Sequence, residues 1–339
     1  MSTPRTARHK AHFTPKRDLR PIFTSLNGDN SWLLSFPRPE SEHRSSGKAY
    51  FHIVHDAWLN GPMVQISSWL VYLSLSSAPA VTNGAGVEDL VRELESSAAE
   101  AGIIRRPQEE GVDGRSPIDA ILINFHYGDH LHGPTLLTFS HSIPVFTTAD
   151  GAPLIKKLNR FTSITTVPDL DPAFTGDWNA VHRASGLPSY LKVFRVKGHH
   201  ELNFLTALLW ESAPDTHEAV LYSPHGLHTA TPALQALLHH AEPSFSTLAI
   251  LHGLKESWNW SWQTTFGAKN GLELYRESRA RYWVSTHNDR LGYRGLLWWI
   301  VNDIFRSVEW ALGQEKQDQE ASKDVKVEEV GNGECFVLE

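Results

Sequence analysis

Hydrophobic positions along the chain alternate between short apolar runs and stretches with helical spacing. The runs 30–36 (NSWLLSF), 49–54 (AYFHIV) and 118–125 (IDAILINF) are bounded by Gly, Pro, polar or charged residues, which predicts strands. Residues 87–101 instead place apolar or small side chains three and four positions apart, which predicts a helix. Because strands and helices alternate, the predicted fold class is α/β.

The rest of the chain continues this alternation. It predicts strands at 143–147, 190–196, 203–210 and 218–223, helices at 152–160, 231–240 and 271–279, and core segments at 249–254 and 281–286. Leu297, Ile300, Val301, Ile304 and Val308 have helical spacing, so 291–312 is predicted to be one buried or interface helix. Trp258, Trp260 and Trp262 alternate, and would share one face of an extended segment.

Composition narrows the function classes. A chain of 339 residues with 41% hydrophobic residues has enough apolar material for a packed core, which excludes wholesale disorder. A net charge of −7 without a concentrated basic face argues against a nucleic-acid partner, and no apolar run is long enough to span a membrane. The single cysteine, Cys335, excludes an internal disulfide and thiolate metal clusters. Any metal site must therefore use carboxylates and some of the 19 histidines.

The two ends differ from the middle in charge. Residues 1–20 are basic and lack the apolar stretch of a secretory signal, so we expect a flexible tail. Residues 313–339 are rich in charge and are expected to form a second, charged tail. Residues 21–312 would then form a single domain. The expected location is cytoplasmic, and the Arg-rich start gives a mitochondrial location weaker support.

Polar clusters follow or precede several apolar runs. In chain order they contain Asp56; His126, Asp129, His130 and His132; His199 and His200; His225 and His228; and His287 and Asp289. Strand ends in α/β sheets converge at one edge, so several such clusters can contribute to one site. A single histidine at a strand end is more often structural, and the pattern is more informative than any member.

The segments NSWLLSFP, HDAWLNGP, ILINFHYGDHLHGPTL, VLYSPHG and RYWVSTHND occur in an order that resembles the metallo-β-lactamase superfamily. The resemblance covers about residues 25–312 and is strongest to a largely uncharacterised fungal and plant branch. It implies an αββα sandwich with a metal site at one edge, between the two sheets.

The resemblance assigns site residues individually. The superfamily signature is His-x-His-x-Asp-His, and here Asp129 and His130 match its last pair. Its first two histidines fall on Phe125 and Tyr127, so the motif is degenerate. His287 matches the final histidine of the superfamily, and His225 occupies the position of its bridging aspartate. The third-histidine position falls near His199 or His200.

These correspondences imply one metal ion held by Asp129, His130, His225 and His287. Three imidazoles and one carboxylate suit Zn²⁺, with Fe²⁺ or Mn²⁺ as alternatives. Asp56 would orient a ligand histidine, and His199, His200 or His126 would serve as general acid or base.

The implied activity is hydrolysis of an ester, thioester, lactone or amide in a small molecule. The many tryptophans favour an apolar or aromatic substrate if some of them line the pocket, although tryptophan more often belongs to the core. Two alternatives stay open. One is a non-hydrolytic isomerase, cyclase or lyase of fungal secondary metabolism, and the other is a metal-free binding protein on the same fold. The oligomeric state is not predicted.

Overall fold

The computed structural model describes residues 4–14, 18–65, 69, 71–105, 116–181, 184, 186–296, 298–315 and 325–339. The chain divides into two compact units. The first comprises residues 1–63, 74–166 and 330–339, and the second comprises residues 64–73 and 167–329. Each unit contains its own mixed β-sheet together with helices, which confirms the predicted α/β class.

The helices and strands of the described residues follow in chain order. The helices are α1 (Pro4–His12), α2 (Glu40–Ser46), α3 (Gly84–Glu100), α4 (Gly133–Leu136), α5 (Gly151–Lys157), α6 (Pro232–His239), α7 (Gly267–Glu277) and α8 (Val308–Gln314). The strands are β1 (Ile22–Ser25), β2 (Trp32–Pro37), β3 (Tyr50–His55), β4 (Met63–Gln65), β5 (Val71–Ser74), β6 (Ala120–Ile123), β7 (Val145–Thr147), β8 (Ile164–Thr166), β9 (Leu191–Lys197), β10 (Phe204–Ala213), β11 (Thr216–Ser223), β12 (Phe245–His252), β13 (Glu256–Asn259), β14 (Trp262–Phe266), β15 (Tyr282–Ser285), β16 (Gly292–Arg294), β17 (Val301–Ile304), β18 (Val327–Glu328) and β19 (Cys335–Val337).

The first unit is built on a seven-stranded sheet in the order β19-β1-β2-β3-β6-β7-β8. Strands β3, β6, β7 and β8 are parallel neighbours, and His55 pairs with Leu122 at the end of the β3–β6 register. Apolar residues of α3, such as Val87 and Val91, belong to one buried cluster with sheet residues such as Val54 and Ile121. Because β3 and β6 are parallel, the segments that follow them begin at the same edge of this sheet.

The second unit is built on a six-stranded sheet in the order β18-β15-β12-β11-β10-β9. Strands β11, β12, β15 and β18 are parallel, whereas β9, β10 and β11 pair antiparallel. Leu221, Ile250 and Trp283 of this sheet share a buried cluster with Leu272 of α7. The segments after β11 and β15 therefore leave this sheet at one edge, as do the segments after β3 and β6 in the first unit.

Two small sheets complete the described strands, in the orders β14-β13-β17 and β16-β5-β4. Here the structure corrects the expectation of one extended segment carrying three tryptophans on a single face. Trp258 lies on β13, Trp260 lies in the turn with a positive φ of 57°, and Trp262 begins β14. The pairing of Asn259 with Trp262 makes the segment a hairpin, so the alternation does not continue through Trp260.

The single helix predicted over 291–312 is wrong. The segment forms β16, a 3-10 turn at Trp298–Ile300, β17 and α8 in succession. Val301 and Ile304 are β-branched and suit a strand, and β17 pairs along its length with β13. Ser307 then caps α8 by accepting a hydrogen bond from the backbone of Trp310. Leu297, part of the helical pattern, lies outside the described residues.

The end segments contain ordered structure where the sequence predicts tails. Residues 4–12 form α1, which buries His9 and His12. Residues 335–337 form β19, which pairs with β1 and buries Cys335. Within 313–339, residues 316–324 lie outside the described residues, and the division of the chain into one domain and two tails stays a prediction. Among the described helices, none is both long and apolar enough to cross a membrane.

Candidate metal centre

Asp56 comes directly after β3 and is completely buried. Its φ of 46° lies in the left-handed region, which costs free energy for any residue with a Cβ. Its backbone N–H donates to the carbonyl oxygen of Leu122 at 3.0 Å, and its carbonyl oxygen accepts from the Ser31 hydroxyl at 2.6 Å. These bonds hold the strained conformation and direct the carboxylate towards the segment that follows β6.

The carboxylate of Asp56 binds two groups from that segment. Its Oδ1 accepts from the backbone N–H of Asn124 at 2.7 Å, and its Oδ2 lies 2.8 Å from Nδ1 of His130. An ionised carboxylate only accepts hydrogen bonds, so Nδ1 of His130 is the donor. This contact fixes Nδ1 and leaves Nε2 for another partner, and the role of Asp56 in orienting a ligand histidine stays a prediction.

The charges around His130 favour its protonated form. Burial lowers the pKa of His130, but the neighbouring carboxylates of Asp129 and Asp56 outweigh burial and raise it to about 9. Burial acts in the opposite sense on Asp56, yet His55 and His130 keep the pKa of that carboxyl below its usual range. The first unit therefore contains a buried imidazole that is attracted electrostatically to the carboxylates of Asp129 and Asp56.

Asp129 and His130 lie side by side at the turn that follows β6. The backbone N–H of His130 donates to the Tyr127 carbonyl at 3.0 Å, and Asn30 donates from Nδ2 to the Asp129 carbonyl at 2.8 Å. Oδ2 of Asp129 lies 3.7 Å from Nε2 of His130. Two ligands of one tetrahedral ion, each bound at about 2 Å, are about 3.3 Å apart. The two donor atoms thus have nearly the separation that shared coordination requires.

In the second unit, His225 and His287 form a buried pair. His225 follows β11 and His287 follows β15, and their rings are nearly perpendicular with centroids 4.9 Å apart. The φ of His287 is 57°, so this residue also has a left-handed backbone. Two strands that are not sequence neighbours thus bring these imidazoles together, as the clusters after the apolar runs predict.

Thr265, which no sequence pattern singles out, is the hydrogen-bond partner of His225. Its Oγ1 lies 3.0 Å from Nδ1 of His225, and the backbone N–H of Phe266 donates to the His225 carbonyl at 2.9 Å. The end of β14 therefore fixes both the ring and the backbone of His225. The sequence gives no signal for this contact, because a threonine in a strand is a common residue and its partner lies 40 positions away.

The three predicted acid–base histidines have different surroundings. His126 is half-buried, with its ring 4.6 Å from that of Phe125 and 4.9 Å from that of Tyr127. His199 is exposed and stacks on His228 at 5.1 Å. His200 is half-buried, with its ring 4.2 Å from that of Trp262. His199 and His200 thus face different partners despite being adjacent, and their catalytic role stays a prediction.

Aromatic rings stand where the signature has its first two histidines. Phe125 is buried, and its ring packs edge-to-face on His130 with centroids 5.8 Å apart. The ring of Tyr127 lies 4.6 Å from that of Phe125. Phe125 has no metal-binding atom, and a phenol is a weak ligand while protonated. The first unit therefore offers Asp129 and His130 as donors, with an aromatic pair beside them.

Comparison with known proteins gives no match in sequence and a clear likeness in structure. No family model matches the chain, and no curated protein matches it. An isothiocyanate hydrolase from Delia radicum gut bacteria aligns over 93% of this chain and 98% of its own, with a TM-score of 0.55 and 12% identity. A possible metal-dependent hydrolase from Veillonella parvula aligns over 94% and 99%, with a TM-score of 0.50 and 10% identity.

A third solved structure is the metallo-β-lactamase fold protein YhfI from Bacillus subtilis, with 10% identity, coverage of 93% and 99%, and a TM-score of 0.43. The two structures with TM-scores of 0.55 and 0.50 share the α/β fold of this chain, in line with the metallo-β-lactamase-like fold that the resemblance implies. The fold predicted from the resemblance is therefore confirmed. Likenesses at 10–12% identity concern the fold alone. The assignment of Asp129, His130, His225 and His287 as metal ligands stays a prediction.

Proposed function

We propose that this protein is a metal-dependent hydrolase of small molecules, with one divalent ion bound by Asp129, His130, His225 and His287. The observation that carries the proposal is the arrangement at His130. One ring nitrogen is bound to the buried Asp56 carboxylate, and the other lies 3.7 Å from Asp129. A metal-ligating histidine usually has such a carboxylate partner on its second nitrogen.

The donor set fits a divalent transition metal. Asp129 and His130 offer an oxygen and a nitrogen at nearly the separation of ligands that share an ion, and His225 and His287 offer two further buried imidazoles. This mixture of nitrogen and oxygen ligands suits Zn²⁺ first, and Fe²⁺ or Mn²⁺ as alternatives. Since Phe125 and Tyr127 replace two histidines, we propose one ion rather than two.

A divalent ion with an open position would lower the pKa of bound water to about 7 and polarise a carbonyl group. The chain's own residues would then have separate tasks. Asp56 and Thr265 hold the rings of His130 and His225 in fixed orientations. Among His126, His199 and His200, the half-buried His126 and His200 are best suited to move a proton to a leaving group, because they combine partial exposure with aromatic neighbours.

The proposed substrate is an apolar ester, thioester, lactone or amide. The support is the contact between His200 and Trp262, since an indole beside a proton-transfer residue favours an apolar or aromatic group. The two hydrolases of similar fold are consistent with hydrolysis as the reaction class. A place in fungal secondary metabolism and a cytoplasmic location stay predictions, as does the lack of a nucleic-acid partner.

One observation favours a metal-free binding protein as the second candidate. The raised pKa of His130 makes this imidazole a cation that pairs with Asp56 at 2.8 Å and lies 3.7 Å from Asp129 without a metal. In that case the fold would retain an ion-pair network where a metal would otherwise bind.

Metal analysis separates the two candidates. Protein purified without chelator and supplied with Zn²⁺ is expected to retain one ion per chain after gel filtration. His225→Ala and His287→Ala are expected to lose it, whereas His228→Ala, an exposed histidine of the same loop as His225, is expected to keep it. Absence of metal from the parent protein, or unchanged metal in both variants, would overturn the assignment.

Activity then tests the reaction class. A panel of aromatic esters, thioesters and lactones is expected to be hydrolysed by the parent protein and not after EDTA treatment, with recovery on Zn²⁺ addition. Turnover that persists in EDTA would favour the isomerase, cyclase or lyase alternative. Metal binding without hydrolysis of any panel member would leave the metal site standing and contradict the proposed substrate class.

A further inference from the structure

Large apolar side chains are exposed on one part of the second unit. Trp260 is 72% exposed and Trp299 is 59% exposed, values far above those of a core residue. We call the exposed set of this region the tryptophan surface, and it consists of Trp69, Trp260, Trp262, Leu296, Trp299 and Phe305. Exposed apolar residues are common singly, but a contiguous group of this kind marks an interaction site.

Contacts join members of this surface in two pairs, and a side-chain hydrogen bond links the sheets that carry them. The rings of Trp260 and Trp299 are 5.8 Å apart, and the backbone N–H of Trp260 donates to the Ile300 carbonyl at 3.0 Å. The backbone N–H of Leu296 donates to the Trp69 carbonyl at 2.8 Å. The two small sheets are joined by the Tyr293 hydroxyl, which donates to Asp303 at 2.7 Å.

Most of the surface is formed by turns rather than by a strand face. Trp69, Trp260 and Leu296 lie in turns, and Trp299 lies in the 3-10 turn before β17. Trp260 has a left-handed backbone, which is unfavourable for a bulky residue and holds the indole out at the hairpin tip. Side chains on protruding turns can insert individually into a deformable surface such as a lipid headgroup layer. A protein partner would need a concave surface that matches their shape.

Two exposed arginines lie in the region of the tryptophan surface, although the whole chain is acidic. Arg290 and Arg294 are exposed, and the guanidinium of Arg290 lies 4.9 Å from the centre of the Phe305 ring. Two acids of this region pair with buried or half-buried cations, since Asp303 is 3.6 Å from Lys255 and Glu256 is 3.2 Å from Arg306. Cations beside exposed indoles complement the phosphates of an anionic surface.

We propose that the tryptophan surface docks this protein onto an anionic phospholipid membrane. Indole rings prefer the boundary between headgroups and acyl chains, because one part of the ring is apolar and its N–H can bind water or phosphate. Arg290 and Arg294 would contact lipid phosphates at the same depth. The protein would lie on the membrane rather than span it.

Vesicle flotation of the full chain tests this proposal. Vesicles of phosphatidylcholine with 30 mol% phosphatidylserine, about a third anionic lipid and enough for a negative surface potential, are expected to bind the parent protein. Trp260→Ser/Trp299→Ser is expected to bind about tenfold more weakly or worse, because two apolar insertions are lost. The matched control is Leu137→Ser, an exposed apolar residue of the first unit, which is expected to bind normally.

Charge variants and lipid composition provide the second arm. Arg290→Gln/Arg294→Gln is expected to weaken binding by about fivefold per arginine, and neutral phosphatidylcholine vesicles are expected to bind less than anionic ones. Quenching of tryptophan fluorescence by lipids brominated on their acyl chains is expected for the parent protein and not for the double tryptophan variant.

Three results would overturn the proposal. The first is that the parent protein does not bind anionic vesicles. The second is that the parent protein and Trp260→Ser/Trp299→Ser bind equally when circular dichroism shows that both are folded, and the third is that the parent protein forms a dimer without lipid and this variant does not. The last result would instead assign the surface to a second copy of the chain. None of these variants alters a proposed metal ligand, so the outcome is independent of metal content and hydrolysis.

Discussion

His130 in the first unit and His225 in the second each follow a strand that has a parallel neighbour, but their hydrogen-bond partners differ in charge. Nδ1 of His130 contacts a buried carboxylate, whereas Nδ1 of His225 contacts the neutral hydroxyl of Thr265. The carboxylates raise the pKa of His130 to about 9. At His130 the neighbouring carboxylates of Asp129 and Asp56 thus outweigh burial, whereas the hydroxyl beside His225 brings no charge.

The largest effect is expected when the carboxylate that contacts His130 is removed. Asp56→Ala removes the partner of His130 and Asn124 in a completely buried place, so the free energy of unfolding should fall by about 3–5 kcal/mol. Urea denaturation followed by circular dichroism measures the loss. Asp56→Asn keeps the shape and should cost less, since amides tolerate the left-handed backbone.

The matched control for that loss is Asp89→Ala. Asp89 pairs with Arg92 on the exposed face of α3, and exposed ion pairs contribute about 0–1 kcal/mol. A loss at Asp56 no larger than that at Asp89 would show that the buried network does not stabilise the first unit.

A third buried histidine, His9, extends the comparison because its ring has no hydrogen bond to a carboxylate. His9 of α1 is buried, and Nδ1 lies 3.9 Å from Glu93, so burial dominates and lowers the pKa of His9 to about 4. The unfolded state takes up a proton at His9 below pH 6.5 and the folded state only near pH 4. Stability contributed by neutral His9 is therefore complete above pH 6.5 and is lost as the pH falls, by about 3 kcal/mol at pH 4.

His9→Leu isolates this contribution, because the leucine is apolar at every pH. The difference in unfolding free energy between parent and variant should change between pH 7 and pH 4 in favour of the variant. Parallel pH profiles for the two proteins would contradict the lowered pKa of His9.

The smallest effect is expected when the hydroxyl that contacts His225 is removed. Thr265→Val leaves Nδ1 of His225 without its partner and should cost about 1–2 kcal/mol of stability. On the proposed function, the same variant should weaken Zn²⁺ binding by about tenfold in a chelator competition. Thr265→Ser retains the hydroxyl and should stay close to the parent in both measurements. Equal Zn²⁺ affinity for the valine and serine variants would show that Thr265 does not position His225.

The sequence predicts much of this fold because its signals are local. The helix at 87–101 and the strand at 118–125 correspond to α3 and β6, since period and burial agree within each segment. Prediction fails at 291–312, where apolar residues with helical spacing belong to a strand that pairs with β13. That pairing depends on residues more than 40 positions away, and a local pattern does not report it.

The candidate site also has a part that the sequence predicts and a part that it does not. Asp56, Asp129, His130, His225 and His287 follow apolar runs, so both the sequence pattern and the resemblance select them. Asp56 contacts His130, and His225 contacts His287, as expected for strand ends that share an edge. The sequence does not predict Thr265, because its role depends on its contact with the ring of His225. Neither the residue type nor the spacing along the chain indicates that contact.

The left-handed backbones of Asp56 and His287 restrict what laboratory evolution can do with these positions. Among folded clones of saturation libraries there, residues that tolerate a positive φ should outnumber β-branched ones, because β-branched residues disfavour positive φ. A selection for new metal preference would therefore sample few ligand chemistries at position 287. Wider variation should be accessible at position 225, which does not have a positive φ.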